Sequence, residues 1–306
     1  MINVSGSICN ISHSQLLDLY REKGIKLGRY LRGDYYIKIE EEDRTIHISD
    51  FAGTKSAGFM PRNTTMVVKD NQPVEMFETY GARNVYESNG MVRVDRDHIT
   101  RKTYDSFFAA IDKAVRIRTS DSTTLLLSGG IDSGTIAASL NHMDISYTAL
   151  SSVVNEDTNV VTQRHDLAPS SRVIPPSSAE HLTNHIKNNT TISELDGLCG
   201  LSHYAAALEI DSGSIVLSGL GVDELYSLDG PDEHLLRDFI RTSSIVYDEF
   251  NIDIRYPLLD YNVWLEYTRL SYGLRNSPKK PFIKYMRFKG YPLQDKIKHP
   301  FIPWKQ

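Results

Sequence analysis

Two cysteines in 306 residues, Cys9 and Cys199, are too few for a disulfide framework, and they lack the paired spacing of a structural zinc site. No apolar stretch approaches the ~20 residues of a membrane-spanning helix. The first residues, MINVSGSICN, have neither the basic start nor the apolar run of a secretion signal. These absences lead to the expectation of a cytoplasmic protein with no membrane association. Basic residues are not in excess: Lys and Arg number 34 against 39 Asp and Glu, a formal net charge of −5. That balance argues against bulk nucleic-acid binding, although small basic patches fit within it. Internal repeats and low-complexity tracts are missing as well, so the organisation has to be read from hydrophobic pattern.

With 40% hydrophobic residues, the length suits roughly two domains of about 100–200 residues each. Residues 1–100 alternate short β-rich runs with turns (INVSGSI, YYIKIEEE, RTIHISDF, TTMVVKD, MVRVD), with one helix expected from Ser14 to Lys23, closed by Gly24. This predicts a small, mostly antiparallel domain. From Tyr104 the pattern changes. Phe107, Phe108, Ile111, Ala114 and Val115 fall on one helical face. After them come buried-strand runs, each followed by a helix: TTLLLS then SGTIAASLNHM, ISYTALSS, and later SIVLS then VDELYSL. Strands alternating with helices predict an α/β domain with a parallel sheet over residues 101–306. The stretch SSVVNEDTNVVTQRHDLAPSSRVIPPSS reads as a polar, turn-rich loop that could close over a substrate.

Ligands of such sheets sit beyond the carboxyl ends of the strands. Two strand ends carry matching residues here: Ser128, Gly129, Gly130, Asp132 and Ser133 after the first, and Ser218, Gly219, Leu220, Gly221, Asp223 and Glu224 after the second. Glycines let a backbone approach an anion, helix-start N–H groups point at it, and serine hydroxyls can donate to it. Two carboxylates beside a polyphosphate fit Mg2+, which takes one or two carboxylates together with phosphate oxygens and water.

Four motifs in order carry a resemblance over about Thr103 to Pro303. SGGIDS resembles the pyrophosphate loop of the N-type ATP pyrophosphatases. SGLGVDE is similar to the SGEGxDE motif of their asparagine synthetase branch, DIRYPLLD to its ExRxPFLD, and KIKHPFIP to its RxKxGFxxP. The intervening KPFIKYMRFKGYP is similar to the helix joining the last two. The resemblance implies a doubly wound parallel sheet of the PP-loop, adenine nucleotide alpha hydrolase-like type. It also implies an ATP- and Mg2+-dependent ligase that adenylates a carboxylate, releases pyrophosphate and passes the acyl group to ammonia or an amine. By the same resemblance Ser128, Gly129, Gly130, Ser133 and Ser218 face the phosphates. Leu127, Leu150 and Gly219 fall where adenine is held, Asp132 and Asp223 are metal ligands, and Lys298 serves the departing pyrophosphate. Arg255 and Asp260 are expected to brace the helical part as a buried ion pair. Without the motif, Lys298 would read as one solvated cation among Lys289, Lys296 and Lys305.

The departures narrow the expectation. Leu220 stands where asparagine synthetases carry a glutamate and β-lactam and carbapenam synthetases a tyrosine. An apolar acyl pocket at Leu220 and Gly221 is therefore expected, and aspartate is not the expected substrate. Asp253 is either a base for the amine or a structural acid paired with Arg255. The segment GDYYIKIEEEDRTIHISDFAGTKSAGF resembles a worn form of the Ntn-type glutaminase domain of these enzymes, whose nucleophile is an N-terminal cysteine. Here position 2 is Ile2 and Cys9 is internal, so glutamine is not the expected nitrogen donor. Expected partners are small-molecule carboxylate and amine substrates, with an acceptor pocket either open or completed by a second subunit of a homo-oligomer. A catalytically silent relative that binds ATP or a protein partner is the alternative reading.

Overall fold

The structure, a computed structural model, describes residues 1–55, 63–70, 72–78, 84–88, 91–95, 100–152, 158–175, 177–190, 192, 197–227 and 232–293. The chain divides into two compact units, Met1–Lys102 and Thr103–Gln306.

The first unit is built on an antiparallel sheet in the order β1 (Ile2–Ile8), β2 (Gly33–Glu40), β3 (Thr45–Ser49), β4 (Thr64–Lys69), β5 (Gln72–Glu78), with a separate hairpin of β6 (Asn84–Ser88) and β7 (Met91–Asp95). The alternation that marked these runs as strands puts Tyr35, Ile37, Ile39, Ile46, Ile48 and Val67 inside, against Leu16, Leu27 and Leu31. Leu16 belongs to α1 (His13–Lys23), which starts one residue before the expected Ser14. Ser12 caps it, and the Gln15 side chain accepts from the Ser12 amide at 2.8 Å, forming a capping box. In the SDFAG turn, Asp50 accepts from the amides of Tyr35, Ala52, Gly53 and Thr54 and from the Thr54 hydroxyl. Burial, reinforced by the neighbouring Asp34 carboxylate, pushes the Asp50 carboxyl up to about 7 against the pull of those donors.

The second unit is α/β, with a five-stranded parallel sheet as the strand–helix alternation predicts. Its elements run α2 (Asp105–Arg116), β8 (Thr123–Leu126), α3 (Ile131–His142), β9 (Thr148–Ser151), α4 (Thr158–Leu167), β10 (Ser170–Val173), α5 (Ala179–Asn189), α6 (Gly197–Ala207), β11 (Ile215–Leu217), α7 (Val222–Leu225), α8 (Glu233–Glu249), β12 (Asp253–Arg255), α9 (Tyr261–Arg269) and α10 (Lys280–Phe288). The strand order is β10-β9-β8-β11-β12, every pair parallel. Among the described residues, no helix is long and apolar enough to cross a membrane.

One expectation needs correction. The polar stretch after β9 is not a continuous loop but holds α4 and the edge strand β10. A short stripe explains the helix: Val160, Val161 and Arg164 turn inward, and an arginine is not a side chain that a polarity pattern counts as core. All four residues of β10 are exposed, so it carries no apolar signal at all.

An aromatic cluster fixes α10. Phe107 of α2 meets Phe282 of α10 edge-on at 5.3 Å, and Phe282 in turn meets Tyr226 edge-on at 5.1 Å. These contacts anchor α10 and the residue that precedes it, Lys279.

Between α6 and α8 the buried His203 ring packs edge-on against Tyr247, with Nδ1 3.4 Å from the tyrosine hydroxyl. Burial lowers its pKa from the usual 6.5 to about 4. The unfolded chain therefore binds a proton that the fold refuses, and the stability present above about pH 6.5 is lost as pH falls toward 4. Urea unfolding is expected to show wild type losing roughly 2–3 kcal/mol more than His203→Gln between pH 7 and 4.5. Equal losses would remove His203 as the cause.

Candidate active site

Chain order and strand order together locate the site. From β8 the chain runs outward to β9 and β10 on one flank, then returns to β11 and β12 on the other, so the order reverses between β8 and β11. Open α/β sheets bind ligands in the crevice at that reversal. The turn Ser128–Gly130 leaves the end of β8 and Ser218–Gly221 leaves the end of its parallel neighbour β11, so both glycine turns share one sheet edge. They are in contact. A Cβ at Gly219 would lie 2.8 Å from both the Asp132 Cβ and the Ser133 amide nitrogen, so glycine is required for the approach. Gly221 has φ 86°, the left-handed conformation that swings the chain into α7 and sets Asp223 in its first turn.

The first turn is organised by its own hydroxyls. Ser128 Oγ and Ser133 Oγ lie 2.9 Å apart, Ser133 Oγ accepts from the Ser128 amide, and Ser128 Oγ accepts from the Gly130 amide, both at 3.1 Å. α3 follows with Gly130 at its cap position and no side-chain cap. In the second turn, Ser218 is buried, its amide donates to Arg255 O at 3.0 Å, and its Oγ accepts from the Leu220 amide at 3.2 Å. Leu220 is half-buried.

Asp132 and Asp223, one from each turn, converge on a single cation. Lys279 Nζ lies 2.5 Å from Asp132 Oδ1 and 2.6 Å from Asp223 Oδ1. The Asp132 side chain is only 9% exposed and that of Asp223 is 52% exposed, so the shared site is closed on one side and open on the other. Among the described residues no group of three or more His, Cys, Asp or Glu side chains is placed to hold a metal. A pair of carboxylates with a cation already between them nevertheless suits an ion such as Mg2+, which fills its other positions from phosphate and water.

Sequence reasoning did not single out Lys279, nor Arg164. Arg164 is fully buried on α4. Its Nη1 donates to the carbonyls of Ser128 and Gly130, the latter at 2.8 Å, and its Nε and Nη2 donate to Pro292 O at 3.3 and 3.0 Å. Because peptide units are planar and trans, fixing those two carbonyls on the guanidinium turns the N–H groups of Gly129 and Ile131 to the opposite side of the turn. The legible signal was Val160 and Val161, four and three residues before Arg164, which mark its helix face as inward. For Lys279 the signal was a pair of lysines at the start of α10 with no acid in its first turn. A cation there opposes the helix dipole.

The remaining expected residues divide. Leu127 and Leu150 are fully buried, and the Leu127 amide donates to Leu150 O at 2.9 Å. Both are enclosed, so an adenine would meet them only after neighbouring groups shift, and its polar edge must find other backbone groups. Leu127 O accepts from Ser151 Oγ at 2.6 Å, and that oxygen also lies 2.7 Å from His165 Nε2. Burial lowers the His165 pKa, with Asp166 opposing.

Asp253 is not brought to the carboxylate pair. Its register opposite Ile215 sets it at the amino end of the sheet, and Arg255 Nε and Nη2 both hold its Oδ2 at 2.8 Å. It takes the structural option, and no part in the chemistry is assigned to it. The expected Arg255–Asp260 brace is also corrected: Asp260 pairs with the buried Arg118 at 2.9 Å and caps α9 through the Asn262 amide. Chain order placed Arg255 beside Asp260, but the Arg255 side chain points back along β12 to Asp253. Lys298 lies outside the described residues.

A comparison with protein-family models finds no match, and a comparison with curated proteins finds none of significance.

Proposed function

We propose that the chain is an ATP-dependent, AMP-forming amide-bond synthetase of the asparagine synthetase-like branch of the PP-loop superfamily. In this reading residues 101–306 are the synthetase domain and residues 1–100 a vestigial glutaminase-like domain. The observation that carries the proposal is the meeting of two glycine turns at the strand reversal, with Asp132 and Asp223 sharing one cation.

ATP would lie with its adenine against Leu127, Leu150 and Gly219 and its phosphates over the turn of Ser128, Gly129, Gly130 and Ser133, capped by Ser218. The N–H groups that Arg164 turns outward, at the uncapped start of α3, are aimed where negative charge gathers. Mg2+ held by Asp132 and Asp223 would neutralise the β- and γ-phosphates. A substrate carboxylate, its acyl chain beside Leu220 and Gly221, attacks the α-phosphorus. The α–β bond breaks, and Lys298 stabilises the pyrophosphate as it leaves. Ammonia or an amine then adds to the acyl carbon and AMP departs. Leu220 can neither accept a proton nor orient an ammonium, so an acid other than aspartate is the expected substrate.

Exchange of labelled pyrophosphate into ATP tests this reading, with a panel of carboxylic acids supplied one at a time. Acid-dependent exchange is the expected result. Magnesium–ATP binding without exchange for any acid would favour a silent ATP-binding relative.

The environment of Cys9 supports a nitrogen donor other than glutamine. Its amide continues the β1–β2 ladder by donating to Arg32 O at 2.6 Å, and Sγ lies 3.8 Å from Ser7 O. A peptide nitrogen committed in this way supplies no free α-amine to act as base. Purified protein is expected to release no glutamate from glutamine, and Cys9→Ser to leave turnover with ammonia or an amine unchanged. Glutamate release that disappears in Cys9→Ser would overturn this.

A further inference from the structure

We propose that Lys279 is an internal counter-cation that holds the metal position until a metal-bound polyphosphate displaces it. The proposal rests on the reading of Asp132 and Asp223 as metal ligands. Lys279 Nζ contacts Oδ1 of both carboxylates, at 2.5 and 2.6 Å. A magnesium ion bonded to the same oxygens at about 2.1 Å would lie no more than about 4.6 Å from the ammonium, a like charge competing for the same two acceptors. Both cations cannot keep these partners, so metal entry requires the lysine to leave.

Three features make the lysine ready to leave. It stands at the cap position of α10, where the helix dipole repels a cation, and among the described residues the two carboxylates offset that repulsion. Its neighbour Lys280 is committed elsewhere, to Gly273 O at 2.6 Å and Asn276 Oδ1 at 3.0 Å, so it does not compete for the acids. Asp223 is the exposed partner, so the pair opens on its side. A polyphosphate arriving there brings the negative charge that can receive the freed ammonium. Bare metal brings none, and would leave Lys279 without a counter-charge beside a dication. Metal and polyphosphate are therefore expected to bind together, each strengthening the other, while free metal binds poorly.

The test uses the full chain, without nucleotide, and Mn2+ as the probe, with unbound Mn2+ read by electron paramagnetic resonance. Wild type is expected to bind Mn2+ weakly alone and tightly with inorganic pyrophosphate. Lys279→Met, which removes the charge and keeps the length, is expected to bind free Mn2+ at least tenfold more tightly and manganese pyrophosphate less tightly. Lys279→Gln should behave similarly and provides a second neutral variant should the first fold poorly, while Lys279→Arg should keep free Mn2+ weak. Adding Asp132→Asn to Lys279→Met should abolish the gain, which locates it at this pair. If wild type binds Mn2+ with pyrophosphate but neither neutral variant gains affinity for free Mn2+, the counter-cation proposal is wrong and the metal site stands. If no form binds Mn2+ with or without pyrophosphate, the metal-site reading fails and the proposal with it.

Discussion

Arg164→Met is expected to lower acid-dependent pyrophosphate exchange by about 100- to 1000-fold, the loss typical of a disordered anion-stabilising site. It is also expected to destabilise the second unit by about 3 kcal/mol or more. Both effects have one origin. The guanidinium is fully buried and supplies hydrogen bonds to the carbonyls of Ser128, Gly130 and Pro292, and a buried carbonyl deprived of its donor costs about 1–3 kcal/mol. Without the fork, the hydroxyl bonds of Ser128 and Ser133 must hold the turn, and the direction of the Gly129 and Ile131 N–H groups is less firmly set. Through Pro292 O the same side chain also ties this glycine turn to the segment that follows α10. Arg164→Lys keeps the charge but not the planar fork and should recover stability only in part. Thermal melting and exchange both unchanged in Arg164→Met would show that the turn is held by other contacts.

Asp132→Asn is expected to abolish exchange, by at least about 100-fold, with the fold retained. Asp132 is one of the two acids that fix the cation and the more enclosed of them, and an amide supplies neither the charge nor a second acceptor oxygen. Because Lys279 keeps Asp223 as a partner, the fold should lose only about 1–3 kcal/mol. Asp223→Asn should reduce exchange to a similar degree with a smaller effect on melting, since its side chain is half exposed. Near-normal exchange in either variant would take that residue out of the metal site.

The parts of the fold legible in the sequence were those in which local pattern and tertiary environment agree. Residues such as Tyr35, Ile37 and Ile39 alternate strictly, and β2 forms where the alternation runs. α3 opens on the Gly130 turn because a strand end, glycines and then small residues leave few other conformations. The two glycine turns were legible as a pair, since strands that share a sheet direction bring their ends together whatever the helices between them do. The site residues that escaped notice act through tertiary geometry. Lys279 is some 55–150 residues from the acids it joins, and no spacing rule reaches that far. Arg164 was hidden by its own polarity, because a buried arginine inverts the pattern by which inward faces are found. For Asp253 the sequence left two roles open, because only the sheet register shows that the acid sits at the amino end of β12, where Arg255 reaches back to it.

The bond at which ATP is cut separates the proposed synthetase from other ATP-using proteins. Phosphorus NMR of the purified protein with magnesium ATP, an amine and the carboxylic acid that supports exchange reads the products directly. The prediction is AMP and pyrophosphate in equal amounts, formed only when the acid is present. Formation of ADP and phosphate instead would contradict it, because cleavage at the γ-phosphate leaves the pyrophosphate turn and its carboxylate pair without the task assigned to them.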